Sequence, residues 1–94
     1  MTEKHVRARV VLHGRVQGVF FRVNTLRSAE RFGVTGWVKN QPDGTVAAVF
    51  EGSEADVDAV LAWCKTGDPP ARVDRVDVVR EPYSGTYGRF EITR

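Results

Sequence analysis

From Val6 to His13 the chain alternates, with Val6, Ala8, Val10 and Leu12 on one side and Arg7, Arg9, Val11 and His13 on the other. A period of two predicts a half-buried strand. Gly14 to Gly18 break the alternation as a loop, and from Phe21 to Phe32 the apolar positions recur at spacings of three and four, as in a helix that Gly33 can stop. Residues 34–40 and 45–51 read as two further strands. Gln41-Pro42-Asp43-Gly44 lies between them, where proline presets one turn dihedral and glycine permits a positive φ. Ser53-Glu54-Ala55-Asp56 has the form of a helix-capping box, and Val57, Val60, Leu61 and Cys64 after it fall on one helical face. Gly67-Asp68-Pro69-Pro70 forbids continuation of that helix. Residues 72–80 form a fourth strand, and Phe90 and Ile92 mark a short final one.

The order β-α-β-β-α-β plus a short last strand predicts a ferredoxin-like α+β sandwich. Its expected form is an antiparallel sheet of four strands and a short fifth, with two helices on one face. The 94 residues are expected to form one domain over 1–94. This fold hosts RNA binders, metal chaperones, regulatory domains and enzymes, so function has to be read from side chains.

Composition narrows the classes. With 41% hydrophobic and 28% charged residues the chain can build a core and is not of the disordered type. A single cysteine, Cys64, excludes an internal disulfide and most cysteine-based metal sites. No run approaches the ~18 apolar residues of a membrane span, and Met1-Thr2-Glu3-Lys4-His5 carries no apolar signal region, so the expectation is a cytoplasmic domain without a membrane partner. The net charge of +2 is unevenly spread: no acid stands between Glu3 and Glu30, while Lys4, Arg7, Arg9, Arg15, Arg22 and Arg27 are basic. A basic N-terminal third fits either an anionic partner or a solvated face.

The segment Gly14-Arg15-Val16-Gln17-Gly18-Val19-Phe20-Phe21-Arg22 joins a strand to a helix N-terminus. Backbone N–H groups there lack intrahelical acceptors and the helix dipole adds positive potential, so a loop with two glycines can gather N–H groups around one anion. Arg22 falls within ~40° of Leu26 and ~20° of Ala29 around the helix, on the stripe expected to face the sheet. A buried cation needs a partner, and its guanidinium can grip a tetrahedral anion bidentately; pairing with a distant carboxylate is the other option. Asn40 shares strand parity with Val34, Gly36 and Val38, so its amide ends an apolar row, either to handle a small polar molecule or to cap the turn.

Other chemistries fare worse. Neither Gly-x-Gly-x-x-Gly nor Gly-x4-Gly-Lys-Ser/Thr occurs. The position six after Cys64 is Pro70 rather than the arginine of a cysteine phosphatase, and Cys64 reads as inert core. His5 and His13 are isolated, which argues against a metal cluster or a nucleophile–histidine pair.

At these residues the chain closely resembles the acylphosphatase family. The likeness rests on Gly14 to Arg22 and on Gly36-Trp37-Val38-Lys39-Asn40 followed by Asp43-Gly44-Thr45-Val46, and extends through Phe50-Glu51-Gly52, Trp63-Cys64 and Gly67, Ala71-Arg72-Val73 and Phe90-Glu91-Ile92. Asn24 departs from it, standing where the family more often has a bulkier or aromatic residue. The resemblance implies hydrolysis of the mixed anhydride of a carboxylic acid and phosphate. Arg22 then matches the phosphate-binding arginine and Asn40 the asparagine that orients the attacking water. The loop of Arg15, Val16, Gln17, Gly18, Val19, Phe20 and Phe21 would form the backbone cradle, with no catalytic role for the Arg15 side chain. It further implies a small acyl phosphate as substrate, phosphate or sulfate as a ligand of the site, no metal or other cofactor, no covalent intermediate and a freestanding monomer. Two rival readings stay open: an RNA-binding module on the same fold, which needs exposed aromatics on the central strands, and a non-catalytic anion-binding domain, including one working within a larger carbamoyl-transferring assembly.

Overall fold

The computed structural model describes residues 4–93. Seven elements follow one another: β1 (His5–Arg15), α1 (Phe21–Arg31), β2 (Thr35–Asn40), β3 (Val46–Ser53), α2 (Glu54–Cys64), β4 (Arg72–Glu81) and β5 (Phe90–Ile92). They form one sheet in the order β4-β1-β3-β2-β5. β1 pairs antiparallel with β3 and β4, and β2 antiparallel with β3, in the register Ala8↔Phe50, Val10↔Ala48 and Gly36↔Phe50. The alternation in β1 puts Ala8, Val10 and Leu12 in the core, with Ala48 and Phe50 beside them and Phe21, Ala29, Val57, Val60 and Cys64 above from the helices. Phe50 and Phe90 stack at 5.5 Å across β2, pinning β5 to the core. A fully buried phenylalanine contributes roughly 1.5–3 kcal/mol in this way.

The expected ends hold in chemistry as well as place. Ser53 Oγ accepts from the Asp56 N–H at 3.3 Å and starts α2. At the end of α1 the Val34 N–H reaches back to the Ala29 carbonyl at 2.9 Å across Gly33, whose φ is +69°.

Three expectations need correction. The sheet is mixed, because β5 runs parallel to β2. After β4 at one edge the chain crosses the helix-free face to the opposite edge, and there it runs in the direction of β2. β1 also reaches Arg15, two residues into the expected loop, with a bulge between His13 and Gly14. A Cβ on Gly14 would collide with the Arg72 carbonyl, so that close approach requires glycine. Finally, the buried stripe of α1 is Phe21, Thr25, Ser28 and Ala29, which turns Arg22 to the side of the helix and leaves it half-buried. Two polar residues carry that stripe, and Thr25 satisfies its hydroxyl by donating to the Phe21 carbonyl at 2.8 Å.

The crossing segment is held by a buried carboxylate. The Glu51 side chain is 0% exposed and accepts from the Ser84 N–H (2.9 Å), the Ser84 hydroxyl (2.7 Å), the Gly85 N–H (3.1 Å) and Arg7 Nη1 (3.1 Å). Tyr87 joins through its hydroxyl, which accepts from Arg7 Nη1 and Trp37 Nε1 at 3.3 Å each. Burial by itself pushes the Glu51 carboxyl up, but the donors from Ser84, Arg7 and Gly85 together outweigh it and hold it below the usual range. Arg7 first, then Arg9, hold Glu81 low as well.

Removing Glu51 takes one carboxylate from the largely buried Arg7 guanidinium and leaves the Ser84 and Gly85 N–H groups without their acceptor, so Glu51→Ala is expected to lose about 3–5 kcal/mol in urea unfolding. Because both carboxyls titrate lower in the folded chain than in the unfolded one, their contribution is complete above the unfolded glutamate value and declines as acid protonates them. The urea midpoint of the wild type is expected to fall as the pH drops below about 4.3, and Glu51→Gln to flatten that dependence.

Candidate active site

The loop between β1 and α1 is fixed by its apolar residues. Val16, Val19 and Phe21 are each buried in the core, and Phe21 stacks on Trp63 at 5.4 Å. Between these anchors the backbone turns twice into the left-handed region, at Gly18 (φ +72°) and at Phe20 (φ +61°). Glycine does this freely, and the space a Gly18 Cβ would take is open. Phe20 is the N-cap of α1 and makes no side-chain cap, and the helix's first bond runs from the Asn24 N–H to the Phe20 carbonyl at 3.0 Å. Among the described residues, the N–H groups of Val16 to Phe20 donate to no other backbone group outside the strands and helices. The first turn of α1 holds no acid, so its positive end is not neutralised locally.

A cleft of about 290 Å³ opens over this turn, lined by Val16, Gly18, Phe20, Phe21, Arg22, Val23 and Ile92. Arg22 has no ion-pair partner among the described residues, whereas Arg7 and Arg9, from the same basic third, are bound to Glu51 and Glu81. Asn40 ends β2 opposite Val46. Its Oδ1 is buried and unpartnered, while the turn that follows is capped instead by Asp43, which accepts from the Thr45 N–H (3.0 Å) and hydroxyl (2.6 Å). These Thr45 bonds, the hydroxyl's first, hold the Asp43 carboxyl low.

The loop and the Asn40 end of β2 are tied together by Gln17. Its Nε2 donates to the Gln41 carbonyl at 2.7 Å and to the Thr45 carbonyl at 2.8 Å. The loop position of Gln17 was legible in the sequence; this side-chain role was not. The cleft walls Val23 and Ile92 were missed too, and Ile92 sits 70 residues beyond Arg22. Arg15 ends β1, opposite Arg72, and does not line the cleft. His13 is satisfied by Asp77 Oδ2 at 2.9 Å, and burial pushes the Cys64 thiol up to about 12, which makes it inert. Among the described residues no three His, Cys, Asp or Glu side chains are grouped to hold a metal ion. No helix is long and apolar enough to cross a membrane among them.

The acylphosphatase family model matches residues 8–92. The chain belongs to the acylphosphatase family. Acylphosphatases are hydrolases acting on acid anhydrides, and their substrates are small acyl phosphates. An acylphosphatase of Rubrobacter xylanophilus is 56% identical over 86 residues, covering 92% of this chain and 78% of the relative. The crystal structure of the Bacillus subtilis acylphosphatase superposes with a TM-score of 0.91 at 32% identity, covering 95% of this chain and 99% of that one. The structure of an acylphosphatase from Coxiella burnetii gives 0.90 at 33%, covering 99% and 100%. The RNA-binding alternative lacks its platform: the helix-free face of the central pair β1 and β3 presents Arg7, Arg9, Val11, Ala47, Val49 and Glu51, with no aromatic ring.

Gln17→Ala removes two hydrogen bonds between loop and turn. It is expected to cost about 1–3 kcal/mol and to speed amide exchange from Val16 to Phe20, with the β1 amides Val6 to Val11 unaffected.

Proposed function

We propose that this chain hydrolyses acyl phosphates in the cleft over the β1–α1 turn. The phosphate is held by the backbone of loop 15–21 and by Arg22, and the attacking water is oriented by Asn40. The observation that carries this reading is the left-handed turn at Gly18 and Phe20, which gathers unsatisfied N–H groups and an unpaired arginine around one cleft. Within the loop the working groups are the N–H groups from Val16 to Phe21; Arg15 contributes position only.

The chemistry asks little beyond such a cradle. Water oxygen forms a bond to phosphorus as the bond from phosphorus to the acyl oxygen breaks, and the electron pair leaves on a carboxylate. A carboxylate is a good leaving group, so no general acid is needed. The water proton passes to a phosphate oxygen of the substrate. Charge on the equatorial oxygens meets fixed N–H dipoles, the end of α1 and the Arg22 guanidinium, which are already in place before the reaction. Asn40 Oδ1, a buried acceptor without a protein donor, is suited to take one O–H of the water.

The natural anion of the cradle is then inorganic phosphate or sulfate. The chain works as one unit over 1–94, as a monomer. The compartment that fits its lone, buried thiol is the cytoplasm.

Hydrolysis of benzoyl phosphate in the presence of a chelator tests the reading. Wild type is expected to turn over, and Arg22→Gln and Asn40→Ala each to lose on the order of 10²–10³ in kcat/KM while keeping the free energy of unfolding within about 1 kcal/mol of wild type. Full activity in either variant refutes the role given to that residue.

A further inference from the structure

The cradle reads the phosphate, and the walls around it have a chemistry of their own. Three large apolar side chains are exposed at the cleft: Phe20 at 74%, Ile92 at 38% and Val23 at 37%. They come from the loop, from the far edge strand β5 and from α1, so the clustering is made by the fold. Exposed apolar groups scattered singly are ordinary, but three lining one cleft mark a contact surface.

Phe20 sharpens the point. Its φ of +61° is one that glycine adopts without strain and an aromatic residue does not. Two positions earlier the same loop uses Gly18 for the same kind of turn. The backbone therefore does not ask for a side chain at 20, and the core does not receive it. A strained position that also leaves its ring in water is explained by something the ring touches in use.

Charge gives the direction. Arg22 is the charged residue among those lining the cleft, and it is the group assigned above to the phosphate. A carboxylate or amide on the other end of the substrate meets no cation and no paired donor there.

Resting on the reading of the cleft as the phosphate site, we infer that Phe20, Val23 and Ile92 seat the acyl group, and that the enzyme selects acyl phosphates with apolar aromatic or branched acyl groups over small polar ones. The selection acts by burying apolar surface of the substrate against these walls, so it appears in KM.

KM is measured for benzoyl, acetyl and carbamoyl phosphate, with inorganic phosphate as competitive inhibitor, in wild type and in a Val23→Ser/Ile92→Ser double variant. Both residues stand more than a third exposed, and Ile92→Ser alone, read in the same way, covers a folding loss in the double variant. The inference expects a benzoyl phosphate KM on the order of tenfold below the other two in wild type. It expects that gap to shrink at least fivefold in the variant, with the phosphate inhibition constant unchanged. Equal KM values in wild type, or an undiminished gap in the variant, overturn the acyl seat and leave the cradle standing. Turnover that inorganic phosphate does not compete with overturns the cradle, and the acyl seat falls with it.

Discussion

Everything at the site depends on how the chain leaves β1. Val16, Val19 and Phe21 must all enter the core within six residues, and an extended chain alternating every second residue cannot bury positions 16, 19 and 21 together. Two left-handed residues solve the problem, and the same rotation leaves Gly18 and Phe20 exposed. The proposed binding surface is in this sense a by-product of core packing. The hydrophobic effect supplies the force that holds polar backbone groups in a conformation where they satisfy nothing of their own. Val16, Val19 and Phe21 anchor the loop in the core without a ligand, the kind of pre-ordering that electrostatic stabilisation of a phosphoryl group requires.

The charges divide along the same line. The basic N-terminal third looked like one feature and is two. Arg7 and Arg9 stand on β1 facing away from the helices, and their carboxylates, Glu51 and Glu81, lock the crossing segment and the edge strand. Arg22, on the other layer, keeps its guanidinium unpaired. A buried ion pair contributes little net stability, yet removing one partner is costly. The Glu51 network therefore acts mainly as a positional device. It fixes where the chain crosses, hence where β5 lands, and so brings Ile92 to the cleft.

Most of the architecture could be read from pattern, because β1 and α2 each bury one clean apolar face and Pro42-Asp43-Gly44 marks the β2–β3 turn, although β3 itself is buried on both faces. α1 was harder. Thr25 and Ser28 occupy its buried stripe, and hydropathy gives no weight to a hydroxyl that bonds its own helix, so the expected orientation of Arg22 was turned too far inward. The direction of β5 was not legible, since three residues carry no sign of parallel or antiparallel pairing. Glu51 looked like a strand end, and its partners lie 33 and 34 residues further on in a segment of glycine, serine and tyrosine. Asn40 was legible by parity, which put a lone amide at the end of an apolar row. Arg22 stood out because no acid lies between Glu3 and it. The cooperation of Gln17 with Gln41 and Thr45 joins two loops through carbonyl groups, and carbonyls leave no trace in a sequence.

The central claim is that a run of backbone amides, pre-ordered by core packing, receives the phosphate. A titration of the ¹⁵N-labelled protein with inorganic phosphate, followed amide by amide, tests it most directly. The account predicts that the amides from Val16 to Arg22 shift together along one saturable curve, while those of β4 and the 82–89 crossing stay in place. Saturable shifts centred on Arg27, Arg31 or the β4 edge, with the 16–22 amides unmoved, would contradict it.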